Sequence, residues 1–280
     1  SSFAWRHQPA FDDRAQFRLS HYQFAGRPWV FNFSTSRDPL GREDRVEMTL
    51  PFRTDVQRFA WRLLYDEGRG HAQFTQRDSG RLALGFGDQY AEGGGIVRIG
   101  PPGWLSLVGL SLTHERSSPD TGARIIAQRG FVTDTAAAFA SHFTELRAAR
   151  VNALLGVRGL RFRRVRGFDA LRGTQDIPIG LQFGTLIGRA IEAFGADSRD
   201  LFVASDLYVG FGNARRVYRL QVQGEGRRER GSGDWTDLVG SGRFSRYSRP
   251  ADWRTRTLIV EWSGTEKVRR PHSLSLGEIA

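Results

Sequence analysis

Leu201-Phe202-Val203-Ala204-Ser205-Asp206-Leu207-Tyr208-Val209-Gly210-Phe211-Gly212-Asn213-Ala214-Arg215-Arg216-Val217-Tyr218-Arg219-Leu220-Gln221-Val222-Gln223 holds two runs in which every second residue is apolar. Leu201, Val203, Leu207, Val209 and Phe211 share one parity, with Asp206 on the other. Tyr218, Leu220 and Val222 then alternate with Arg219, Gln221 and Gln223. Period-2 patterning of this length is the mark of a β-strand with two chemically different faces. Gly210-Phe211-Gly212-Asn213 supplies the glycine and asparagine that a tight hairpin requires.

The same pattern recurs outward in both directions. Trp29, Phe31 and Phe33 lie opposite Asn32 and Ser34, and Val46, Met48, Leu50 and Phe52 lie opposite Arg45, Glu47 and Thr49. Phe59, Trp61, Leu63 and Tyr65 lie opposite Arg58 and Arg62; Leu258, Val260 and Trp262 lie opposite Thr257, Glu261 and Ser263. Gly-, Asp-, Ser- and Pro-rich stretches at 36–43, 66–70, 88–95, 117–122, 195–200 and 229–234 have the composition of turns and loops. Only residues 134–147, with Thr133 or Asp134 as cap, read equally as helix or strand. Arg124 and Arg129 take opposite parities in 122–131, which calls for a rim position or a bulge.

The chemistry of the two faces separates a membrane wall from a soluble sandwich. One face carries large aromatics and aliphatics; the other carries arginine, glutamine, glycine and small polar groups. An arginine on the lipid side at the bilayer midplane costs about 2–4 kcal/mol, and Arg45, Arg58, Arg62 and Arg219 all avoid the apolar parity. No apolar stretch is long enough for a transmembrane helix, but barrel strands need only alternation. The expectation is an all-β, antiparallel transmembrane β-barrel in one domain spanning residues 1–280. About twelve strands and an incomplete barrel are expected, because alternation at Leu274 and Leu276 stops short at Ala280. The polar parity nominates Arg58, Arg62, Asp206, Arg219, Gln221 and Glu261 as lumen-facing.

Composition narrows the function. The chain of 280 residues has no cysteine, which removes disulfide frameworks, thiolate metal sites and thiol nucleophiles. Its formal charge of +11 comes almost wholly from arginines spread along the length, with Lys267 the one lysine, so no dedicated nucleic-acid surface is expected. His7, His21, His71, His114, His142 and His272 show no metal-ligand spacing. Thr113-His114-Glu115 is an isolated acid–base candidate that reads better as a strand-end patch. Ser141 and His142 are adjacent and would point apart in a strand. Gly85-Phe86-Gly87 and Gly93-Gly94-Gly95 lack the strand–turn–helix setting of phosphate loops. Neither an enzyme nor a cofactor is expected.

Val165-Arg166-Gly167-Phe168 resembles the V-R-G-F/Y motif of BamA/TamA-like outer-membrane barrels, the superfamily of insertases, two-partner-secretion translocators and bacterial surface antigens. In that family the motif sits on a loop folded back into the lumen, and an arginine on a glycine-loosened loop can brace an acidic or aromatic wall. The resemblance implies a Gram-negative outer-membrane location and non-covalent work in barrel assembly or polypeptide secretion. Its partners would be outer-membrane lipid and lipopolysaccharide, unfolded or extended polypeptide clients, and periplasmic POTRA-type domains in the full-length protein; residues 1–280 contain no POTRA domain. The family places four strands after its motif, the last ending in an aromatic. Here five runs follow Phe168, at 179–189, 201–212, 215–227, 238–247 and 255–263. Two placements therefore stay open: the motif is Val165 to Phe168, or it lies just beyond Ala280 and Val165 to Phe168 is an upstream look-alike. Two other classes also stay open, a porin-like channel or surface barrel with an arginine-lined lumen and a soluble basic β protein that binds an anionic polymer.

Overall fold

The computed structural model describes residues 2–6, 14–38, 41–54, 56–76, 80–127, 130–133, 143–166, 173–197, 199–251 and 254–268, with the backbone alone at 6, 72–76, 80–82, 121–127 and 130–133. Fourteen strands form one antiparallel sheet: β1 (Ser2–Arg6), β2 (Arg14–His21), β3 (Val30–Asp38), β4 (Gly41–Leu50), β5 (Phe59–Gln76), β6 (Gly80–Ile99), β7 (Leu105–Ala127), β8 (Gly130–Thr133), β9 (Leu146–Arg166), β10 (Thr174–Ala190), β11 (Asp200–Gly212), β12 (Arg216–Glu229), β13 (Trp235–Ala251) and β14 (Arg254–Glu266). Thirteen lie side by side in sequence order, and β8 pairs with β7. The sheet is open: among the described residues β1 and β14 each have one neighbour.

The strands alternate in direction, so their connections fall on two ends. Residues 22–29, 51–54, 56–58, 100–104 and 213–215 lie at one end, called here the lower rim; residues 191–197, 199 and 230–234 lie at the other, the upper rim. Two single 3₁₀ turns, Phe24–Gly26 and Glu192–Phe194, are the helical residues described.

Register makes the two faces continuous across the sheet. One transverse row runs Arg62, Gly94, Ser111, Asn152, Gly188, Phe202, Arg227 from β5 to β12. One residue along each strand, the opposite face runs Trp61, Gly95, Leu110, Ala153, Ile187, Val203, Gly226. Burial is inverted relative to a soluble domain. Leu110 is 65 % exposed and Leu112 56 %, whereas Ser111, Thr113, Arg150, Asn152 and Arg227 are buried.

Among the described residues thirteen strands lie side by side and β8 adds a short fourteenth, against about twelve expected; two expectations need correction. The polar stretches 66–70, 88–95 and 117–122 are not loops; they are interior lengths of β5, β6 and β7, where Gly68 pairs Asp88 and Asp88 pairs Ser117. Ladder hydrogen bonds between long neighbours override local turn propensity there. The 36–43 stretch likewise contributes Ser36 to Asp38 to β3 and Gly41 to Glu43 to β4. For the 134–147 segment, Leu146 and Arg147 open β9, and 134–142 lie outside the described residues, as does Arg129.

The concave polar face

Arg227 on β12 donates from Nη2 to Glu115 Oε2 on β7 at 2.9 Å. Four strand-to-strand steps separate β7 from β12, about 19 Å along the sheet at roughly 4.8 Å per step. Two side chains cannot bridge that distance over a flat sheet. The sheet therefore curls toward its polar face, which is concave, and the apolar face is convex.

Glu115 and Arg227 belong to a five-residue cluster near the upper rim. Arg150 on β9 sits 3.1 Å from Glu115 and 3.4 Å from Asp200 on β11. Arg227 also reaches Asp200 at 3.6 Å and Asp237 on β13 at 3.2 Å. The Phe202 ring lies under both guanidinium groups, 5.0 Å from that of Arg150 and 5.5 Å from that of Arg227. Arg227 is 1 % exposed, and a guanidinium that far from water requires such an acidic, hydrogen-bonding surround. Beside the cluster, Asn152 Nδ2 donates to Ser111 Oγ at 3.1 Å and Thr113 Oγ1 at 3.2 Å.

A second tie crosses the concave face near the lower rim. The β9–β10 hairpin runs past the end of the β10–β11 ladder, which stops at the Gly180–Gly210 pair. Gly180 has φ +131°, and a Cβ there would collide with the Gly159 carbonyl oxygen. At this kink the alternation breaks. By parity Ile177 belongs with the convex Phe183, yet Ile177 and Val165 are buried with Val217 and Tyr247, which lie on the concave face of β12 and β13. Tyr208 Oη donates to the Pro178 carbonyl at 2.7 Å, and Arg249 Nη1 donates to the Arg166 carbonyl at 2.6 Å. The hairpin is thus strapped over β11 onto β12 and β13.

Between cluster and strap lies a cavity of about 530 Å³. Leu154, Leu186 and Val239 give it an aliphatic band, Gly156 and Gly184 deepen it, and Asp206, Gln223 and Glu225 add polar groups.

Of the six residues assigned to the polar parity, Arg62, Asp206, Arg219, Gln221 and Glu261 lie on the concave face, and Arg58 lies in the lower-rim connection just before β5. Arg62 pairs with Glu47 at 2.8 Å and reaches Glu92 at 3.6 Å. Arg58 lies opposite Arg98, whose N–H donates to its carbonyl. Asp206 is cross-strand from Gly184 and Gln223, and Gln221 from Tyr208 and Arg243. Arg219 stacks 4.6 Å from the Tyr247 ring centre, and Glu261 meets Arg243 at 3.3 Å. Of the motif, Val165 and Arg166 are the last residues of β9; Gly167 and Phe168 lie outside the described residues. Within Thr113-His114-Glu115, His114 is exposed on the convex face while its neighbours are buried on the other, so no joint acid–base pair forms. Ser141 and His142 lie outside the described residues. Among the described residues no group of three His, Asp or Glu converges as a metal site.

Sequence reading missed the five-residue cluster. Its members sit on the polar parity of their strands, but what unites them is contact across 112 residues. Outside the strands, a hydrogen bond from Arg147, with a second from Arg116, holds the Glu145 carboxyl below its ordinary value, and Arg199 does the same to Glu192.

No protein-family model matches the chain, and no curated protein matches it.

Proposed function

We propose that the chain forms the wall of a bacterial outer-membrane β-barrel of the BamA/TamA-like superfamily and acts non-covalently in inserting or translocating polypeptides. The observation that carries this reading is the inversion of burial: Leu63, Leu110, Leu112, Leu155, Ile187 and Val260 are exposed on the convex face, while charged and amide side chains are buried on the concave one. Such a surface is stable where hydrocarbon replaces water.

Two further features suit the superfamily's work. The hairpin carrying Val165 and Arg166 folds inward over the concave face, as its resemblance to the lumen-loop motif implies. The β14 edge, thirteen residues long, points the N–H and C=O of alternate residues outward, to which an extended client can add as a strand. A porin-like channel lined by Arg58, Arg62 and Arg219 is the second reading, favoured by the polar concave face. The cluster and the strap, which obstruct that face at both ends, weigh against it. The convex aliphatic band weighs against a soluble binder of anionic polymers.

The test is reconstitution of the full chain into lipid vesicles. Retention after alkaline carbonate washing, with heat-modifiable gel mobility, is expected; extraction into the wash would defeat the membrane reading. A photo-crosslinker at Ile259 on β14 should then capture a purified, urea-unfolded barrel polypeptide, and one at Ser241 on β13 should not. Equal capture at both positions would remove the edge from the mechanism.

A further inference from the structure

At the upper rim several guanidinium groups are paired, Arg37 with Asp44 at 2.8 Å, Arg116 and Arg147 with Glu145 at 3.0 Å, Arg199 with Glu192 at 2.7 Å, while Arg189, Arg228 and Arg230 are exposed with no carboxylate within salt-bridge distance among the described residues. At the lower rim Arg164 reaches Asp176 at 3.9 Å. Arg216, Arg246, Arg254 and Arg256, all exposed, have no carboxylate within salt-bridge distance among the described residues.

Register sets these four in order on the convex face. Tyr218, Arg246 and Leu258 form one transverse row of β12, β13 and β14; Arg216, Ser248 and Arg256 form the next row toward the rim; Arg254 lies beyond, opposite Ala251. Above them the convex face is apolar, with Leu220, Phe244 and Val260 in register. Phe211, 55 % exposed, stacks on Tyr218 at 5.0 Å, and the Arg246 guanidinium lies 5.8 Å from the Tyr218 ring centre. Descending toward the rim, the surface passes from aliphatic to aromatic to cationic. That is the sequence of environments from hydrocarbon through the interface to headgroups.

We propose that Arg216, Arg246, Arg254 and Arg256 form a docking surface for the phosphate headgroups of anionic phospholipids in the leaflet at the lower rim. This inference rests on the membrane reading above. A guanidinium matches phosphate oxygens in a two-pronged hydrogen bond, and cationic side chains near a bilayer surface select anionic lipid.

The experiment measures association of spin-labelled phosphatidylglycerol and phosphatidylcholine with the full chain in vesicles. The native chain should prefer phosphatidylglycerol by roughly tenfold. The joint variant Arg216→Gln, Arg246→Gln, Arg254→Gln, Arg256→Gln should lose most of that preference, and the four corresponding Arg→Lys changes should keep much of it. Replacing Arg42 and Arg69 by Gln at the upper rim should leave it unchanged. Full preference in the four-Gln variant overturns the assignment, and so does its abolition by millimolar inorganic phosphate, which would point to a free-anion site. A chain that resists carbonate washing but shows no lipid preference defeats this proposal alone. One that washes off the vesicles defeats the membrane reading with it.

Discussion

Glu115 Oε2 accepts hydrogen bonds from two arginines at once, Arg150 at 3.1 Å and Arg227 at 2.9 Å, and so joins β7, β9 and β12 through one carboxylate. Glu115→Ala removes the acceptor that both guanidinium groups share and leaves Asp200 and Asp237 as their counter-charges. Loss of a hydrogen bond to a charged group costs about 1.5–3 kcal/mol, and the urea midpoint of the vesicle-embedded protein should fall accordingly. Spin labels at His114 and Arg228, both on the convex face where curvature splays side chains apart, should also move closer together. An unchanged label distance would show that the curvature has another origin.

Gly180→Val addresses the strap. The positive φ suits glycine, and any Cβ meets backbone, not a side chain that could swing aside. Strain of this kind costs about 1–3 kcal/mol. The variant should unfold earlier, and trypsin should cleave at Arg163 and Arg164 faster than in the native chain. Gly231→Ala, in an upper-rim turn with open space around its Cβ position, serves as the control that leaves cleavage unchanged.

Leu112→Arg tests which face meets lipid. On the convex band the substitution should cost about 2–4 kcal/mol of vesicle-embedded stability. Gln221→Arg, on the concave face, should stay within about 0.5 kcal/mol. Equal effects would contradict a hydrocarbon-facing convex surface.

The pH prediction concerns Glu145, which precedes β9 between Arg116 and Arg147. Its carboxyl titrates below the ordinary 4.5 because both arginines donate to it. A depressed folded-state value means that the carboxylate stabilises the fold above the unfolded value, and that this contribution fades as pH falls through the folded one. Carbon-detected NMR should find Glu145 more than half ionised at pH 4.5. Arg147→Ala combined with Arg116→Ala should return the carboxyl to its ordinary range; no change would mean that the ion pairs do not persist in solution.

The face each strand presents was readable because alternation is a local property. Trp61 against Arg62, Leu207 against Asp206 and Val260 against Glu261 need only the identity of a neighbour. The tight turn after Gly212 was readable for the same reason. Strand length was not: Asp66 to Gly70 and Asp88 to Gly95 carry turn-like residues, and only a long neighbour in register keeps them extended. The buried cluster was hidden because no local signal links Glu115 to Arg227. The kink at Gly180 was hidden too, since the alternation of Ile177 and Ile179 continues through it in sequence while the chain in space crosses to the other side.

The strictly sequential order of strands has a kinetic corollary. Every ladder from β2 to β7 joins segments adjacent in the chain, so pairing can advance hairpin by hairpin as the polypeptide emerges, with little loop-closure entropy at each step. The bond from Glu115 must wait 112 residues for its partner. Until β12 arrives, the nascent sheet is free to stay flatter than its final form, and bending is imposed late, by the strand that carries Arg227.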